Sequence, residues 1–92
     1  MSVSTHVLDS VLGRPAAGVA VRLVAGEELV AEGSTAPGAH RLVFATGPWF
    51  AGQGRDTFYP EVVLAFDVRE PSEHHHVPLL LAPFAYSTYR GS

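Results

Sequence analysis

Ninety-two residues with a net charge of −3, 47% apolar and 16% charged, predict one small domain and exclude a disordered chain. The six basic residues, all Arg, are scattered, so the chain offers no basic surface to a phosphate backbone and nucleic acid is excluded as a partner. There is no Cys, hence no disulfide and no thiolate ligand.

The start, Met1-Ser2-Val3-Ser4-Thr5-His6, lacks the charged and apolar regions of a signal peptide. The longest apolar run, Val77 to Phe84, is too short to span a bilayer and holds prolines, so a soluble cytoplasmic protein is expected. Val3 to Leu8 reads as a first strand, broken by Gly13-Arg14-Pro15. Gly18 to Val24 alternates, with Val19, Val21 and Leu23 on one face and Ala20 and Arg22 on the other. A turn at Gly26 leads to a short strand over Glu28 to Glu32, and Pro37-Gly38 turns the chain into a strand from His40 to Ala45.

Gly47 to Gln53 is the helix candidate, with Pro in its first turn. Glu61 to Val68 is a strand, and Glu70-Pro71-Ser72-Glu73 a turn. His75 to Leu81 is a further strand in which Pro78 removes a ladder donor, marking an edge, a bulge or an interface. Ala85 to Arg90 is the last. About seven short strands and one short helix predict an antiparallel β-sandwich. So small a domain buries little apolar surface by itself, and its apolar content predicts contact between subunits.

Strand parity sorts the candidate reactive groups, because residues two apart share a face. His6 falls with Leu8, His76 with Pro78 and Leu80, and Ser87 with Tyr89; His75 points the other way, as a solvent-facing or structural residue. The run His74-His75-His76 raises zinc, but a catalytic zinc takes three protein ligands and no acidic residue or Cys is spaced with them, so no metal is expected. Trp49, Phe50, Phe58 and Tyr59 are read as core and cover.

Three stretches carry a family resemblance: Ser4-Thr5-His6-Val7-Leu8-Asp9 with Gly13-Arg14-Pro15-Ala16; His74-His75-His76-Val77-Pro78-Leu79-Leu80-Leu81-Ala82-Pro83; and Tyr86-Ser87-Thr88-Tyr89-Arg90-Gly91-Ser92. Together they resemble the 5-hydroxyisourate hydrolases of the transthyretin-like family, whose terminal Tyr-Arg-Gly-Ser distinguishes them from hormone-carrying transthyretin. The resemblance implies a transthyretin-like all-β sandwich and cofactor-free opening of a cyclic amide. It also implies a homotetramer, a dimer of dimers, with a channel lined by alternate strand residues. It implies His6, His76 and Ser92 as catalytic, with Arg90 and Tyr89 binding substrate. Histidine suits the proton transfers because its ordinary pKa of about 6.5 lies near working pH.

One departure stands out. The resembling enzymes carry a Thr-x-x-Asp-Gly-Arg turn and a further strand where this chain passes directly from Thr35 to Ala36-Pro37-Gly38. The Arg counted among their catalytic residues is absent with it, which opens a second reading: a non-catalytic transthyretin-like scaffold or small-ligand-binding protein.

Overall fold

A computed structural model describes residues 2–25, 28–30, 38–70 and 72–91. The described strands are β1 (Ser2–Ser4), β2 (Val7–Asp9), β3 (Arg14–Pro15), β4 (Val21–Ala25), β5 (Glu28–Val30), β6 (Gly38–Phe44), β7 (Val62–Val68), β8 (His74–His76), β9 (Leu79–Ala82) and β10 (Ala85–Thr88), with one helix, α1 (Thr46–Ala51). There are two four-stranded sheets, ordered β10-β9-β2-β3 and β5-β4-β6-β7, and a short pair β1-β8 that prolongs the β2-β9 pairing of the first. Among the described residues no helix is long and apolar enough to cross a membrane.

Alternation builds the core. In β7, Val62, Leu64 and Val68 are buried while Val63, Ala65 and Asp67 are exposed. In the first sheet Val7, Leu79 and Leu81 turn inward, and they meet Leu42, Phe44, Val62 and Leu64 of the second, with Phe50 from the helix. Phe44, Phe50, Leu79 and Leu81 are fully buried, each worth about 1.5–3 kcal/mol of apolar transfer. The sandwich is thus the expected one, but two of its pairings are parallel: β1 with β8 and β2 with β9.

The expected first strand and the expected His75–Leu81 strand are each interrupted, at Thr5-His6 and at Val77-Pro78. The interruptions lie side by side, and paired residues differ by 72 on both sides of them, so the register does not slip. Leu79 N–H bonds the His6 carbonyl at 2.9 Å. The carbonyls around Pro78 are taken by hydroxyls, Thr5 Oγ1 donating to Val77 O at 2.5 Å and Thr88 Oγ1 to Pro78 O at 2.6 Å.

Several boundaries differ from expectation. Arg14–Pro15, read as a break, makes a short antiparallel pairing with β2. The strand expected from Gly18 begins at Val21, since Gly18 takes a turn conformation with φ 91°. Of the expected strand Glu28 to Glu32, the part to Val30 is observed; Ala31 and Glu32, the turns at Gly26 and Pro37, and Pro71 lie outside the described residues.

The helix starts at Thr46, whose hydroxyl donates to Tyr59 O at 2.8 Å, while Gly47 N–H bonds Pro60 O at 2.8 Å. Pro48 is tolerated in this first turn because its missing N–H would have had no helical partner. Gly47 is required by contact: a Cβ there would lie 2.8 Å from Pro60 O and 2.9 Å from Pro60 Cα. Phe50 is core and Trp49 and Tyr59 pack against it, but Phe58, expected with them, is 71% exposed and stands in a T-shaped contact with Tyr59.

A part-buried ion pair, which sequence reasoning missed, lies at this end of the sandwich. Asp9 is buried; its Oδ1 accepts the N–H groups of Val11 and Leu12 at 3.0 Å, and its Oδ2 accepts Arg55 Nη1 at 2.8 Å. The Arg55 guanidinium in turn lies 5.0 Å from the Phe50 ring centroid. Burial pushes the Asp9 carboxyl up, but the Arg55 hydrogen bond, the two N–H groups and the Arg55 charge outweigh it, so its pKa lies below the usual value of 3.8.

Candidate functional site

The outward face of the β1/β2 and β8/β9 ribbon gathers the polar chemistry. Val7 and Leu79 point into the core; by alternation, and with the register unbroken, Ser4 and His6 point outward with His76 and Leu80. His6 is exposed and His76 half-buried. Ser4 Oγ lies 2.8 Å from His74 Nε2 and 2.8 Å from His76 Nδ1, a hydroxyl bridging two imidazoles.

The chain end returns to this place. Gly91 N–H donates to the His76 carbonyl at 2.8 Å, forming an isolated antiparallel bridge beyond the end of β10. The Gly91 backbone lies so close to the His76 ring that a Cβ on residue 91 would meet Cδ2 at 2.3 Å. Ser92, expected to act here, lies outside the described residues.

Arg90 and Tyr89 go elsewhere. They line a cavity of about 410 Å³ between β7 and β10, together with Val63, Phe66, His75 and Tyr86. Neither His6 nor His76 lines it, so the structure of one chain does not bring the expected catalytic and substrate-binding residues into a common pocket. Arg90 Nη2 donates to Glu73 Oε2 at 2.9 Å. That pair is largely exposed and worth at most about 1 kcal/mol, so it is easily exchanged for another anion or carbonyl.

His75 is 5% exposed, which removes the solvent-facing alternative for it. Its Nδ1 is 3.1 Å from Glu73 O, and its ring stands 6.5 Å from Phe66, itself 5.8 Å from buried His40. A row of rings, His40–Phe66–His75, therefore lies at this end of the fold, with Phe66 and His75 bordering the cavity. Because His75 is directed inward while His74 and His76 meet Ser4 outside, the three consecutive imidazoles do not face a single ion.

Sequence reasoning missed Ser4 and His74 as neighbours of His76. The signal was present: Ser4 stands two before His6, and His74 two before His76, the spacing that places each pair on one strand face.

Comparison with known proteins bears on what this face does. The sequence pattern of the HIUase/Transthyretin family matches residues 25–91. The 5-hydroxyisourate hydrolase of Caulobacter vibrioides is 40% identical, over 98% of this chain and 97% of its own length. That of Salmonella dublin is 38% identical, over 98% of this chain and 80% of its own. The solved structure of Klebsiella pneumoniae 5-hydroxyisourate hydrolase superposes with a TM-score of 0.89 at 34% identity, over 99% of this chain and 93% of that one. The Salmonella alignment runs to 109 positions against 92 residues here, so at least 17 of its positions have no residue in this chain.

Proposed function

Because the chain belongs to the HIUase/transthyretin family, we propose that it hydrolyses 5-hydroxyisourate, opening the cyclic amide in urate breakdown. Adding water to an acyl carbon needs a base for the water, donors for the developing oxyanion and a proton for the leaving nitrogen. His6 and His76 supply two imidazoles on one face, and Ser92 completes the catalytic group, with Arg90 and Tyr89 as substrate contacts. The observation that carries this reading is the bridge between His76 and Gly91, which joins the histidine motif to the terminal Tyr-Arg-Gly-Ser motif.

The working unit in this proposal is a homotetramer of single-domain chains in the cytoplasm, without cofactor. Exposed Val11, Leu12, Val63, Phe84 and Tyr86 support assembly, and so do the open edges of β7 and β10 at the ends of their sheets. Assembly is also the way for Arg90 and Tyr89 of one chain to approach the histidines of another.

The absorbance decay of freshly generated 5-hydroxyisourate tests the activity. Decay faster than in buffer is the expected result. The 17 or more unmatched positions favour one alternative, a transthyretin-like scaffold or ligand-binding protein without catalysis. Decay at the buffer rate, with a folded oligomer confirmed by light scattering, selects that alternative.

A further inference from the structure

We infer that Ser4 is a positioning residue of this site: its hydroxyl, set between His74 and His76, holds His76 as the Nε2–H tautomer and makes it a hydrogen-bond donor to the reacting carbonyl. The inference rests on the hydrolase reading of the His6/His76 face and assigns different tasks to its two imidazoles.

The argument counts protons. Ser4 Oγ is 2.8 Å from His76 Nδ1 and 2.8 Å from His74 Nε2. Ser4 Oγ has one proton to give, and among the described residues these two imidazole nitrogens are the partners it meets, so it donates to one and accepts from the other. If Ser4 donates to His76 Nδ1, then His74 Nε2–H donates to Ser4, and both neutral rings carry their proton on Nε2. If the direction is reversed, both rings are forced into the Nδ1–H form. Neutral histidine in water prefers Nε2–H, so the first arrangement keeps His76 in its preferred form and the second opposes it.

The surroundings hold this geometry. Parallel pairing sets Ser4 opposite His76, and Val77 N–H bonds the Ser4 carbonyl at 2.9 Å. The other edge of the imidazole rests against Gly91, where there is no space for a side chain. With Nδ1 engaged by Ser4 and Cδ2 against Gly91, Nε2–H is the polar group His76 retains for a ligand.

A neutral imidazole N–H is a hydrogen-bond donor and not a practical acid. His76 therefore keeps its proton and stabilises the oxyanion, the task left open where this chain lacks the Arg of the resembling enzymes. His6 takes the proton of the attacking water as the new C–O bond forms, and returns it to the ring nitrogen as the C–N bond breaks.

Long-range proton–nitrogen NMR of the ¹⁵N-labelled protein, above the imidazole titration range, reads the tautomer without reference to turnover. Protonated Nε2 with unprotonated Nδ1 is expected at both His74 and His76. Ser4→Ala should leave the amide spectrum folded, release His76 into a mixture of tautomers and lower kcat about 10-fold with little change in KM. Ser4→Thr, which keeps the hydroxyl, should restore both. A parent spectrum with Nδ1–H at His76 overturns the inference, as does a Ser4→Ala protein with the parent tautomer and the parent kcat. If the parent proves not to hydrolyse the substrate, the hydrolase reading fails, and the tautomer at His76 with its response to Ser4→Ala still decides the bridge.

Discussion

The imidazole of His76 occupies the space that a side chain on Gly91 would need: a Cβ at residue 91 would lie 2.3 Å from its Cδ2 and 3.0 Å from its Cγ. Cδ2 and Cγ move when the ring turns while His76 Cβ, 3.2 Å away, does not, so relief comes mainly from turning the ring, with a backbone shift of a few tenths of an ångström. Gly91→Ala should therefore change stability by only about 1 kcal/mol, the scale of an off-rotamer side chain. Turnover should fall about 100-fold, because a displacement of roughly 1 Å at a reacting group has that effect. Chemical denaturation and initial rates on the same preparation separate the two; a large stability loss with normal turnover in the folded fraction would refute the assignment.

Asp9 and Arg55 predict a pH dependence of stability. The folded Asp9 pKa is depressed, so its contribution is fully present above the ordinary value of 3.8 and is lost as pH falls through the lower, folded value. Asp9→Asn should remove about 2 kcal/mol at neutral pH, less than the scale for a fully buried pair because Arg55 is partly exposed, and should flatten the acid limb of the stability curve. Denaturant midpoints measured from pH 7 down to about pH 3 would show both effects. An unchanged acid limb would mean that other carboxylates control it.

These residues also show how far sequence carries. Strand faces were legible because Val62, Leu64 and Val68, or Val7 and Leu79, alternate with exposed neighbours. The family motifs fixed attention on His6, His76 and the chain end. What was not legible depended on contacts far apart in sequence: Arg55 meets Asp9 across 46 residues with no local pattern to announce it, and Ser4 meets His76 across 72, where the spacing gave each strand's face but not which strands pair. The parallel pairings escaped for the same reason, since both partners read as ordinary short strands. Arg90 was within reach of parity: it shares a face with Thr88 and Tyr86, whose partners Leu79 and Leu81 point into the core, so it falls on the His75 side. The motif drew it toward Gly91 and Ser92 instead.

The absent Thr-x-x-Asp-Gly-Arg segment gives a gain-of-function test. Restoring a family-like turn and strand between Thr35 and Ala36 supplies a second oxyanion donor, and one such donor is worth about 100-fold in rate. The expected outcome is an increase of that order in kcat with the fold intact. A fast parent that gains nothing would show that the donors already present, His76 Nε2–H or one of Arg14, Arg41 and Arg90, meet the need.

The sharpest comparison is among His6, His76 and His75. His6 and His76 share the outward face, while His75, one residue from His76, is buried against Phe66. In the proposed mechanism His6→Ala removes the base and His76→Ala the oxyanion donor, so each should lower kcat by about 100-fold or more while the protein stays folded. His75→Ala removes part of the ring row and should act on the other quantity. It should lose about 2 kcal/mol of stability through the cavity left behind, yet turn over near the parent rate while folded. Chelators should change none of the rates, because no metal enters the proposal. Initial rates on each variant, with folding and assembly checked by denaturation and light scattering, decide the matter. Equal catalytic loss in the His75 and His76 variants would break the assignment by strand face, and full activity without both His6 and His76 would leave the fold with no mechanism on this surface.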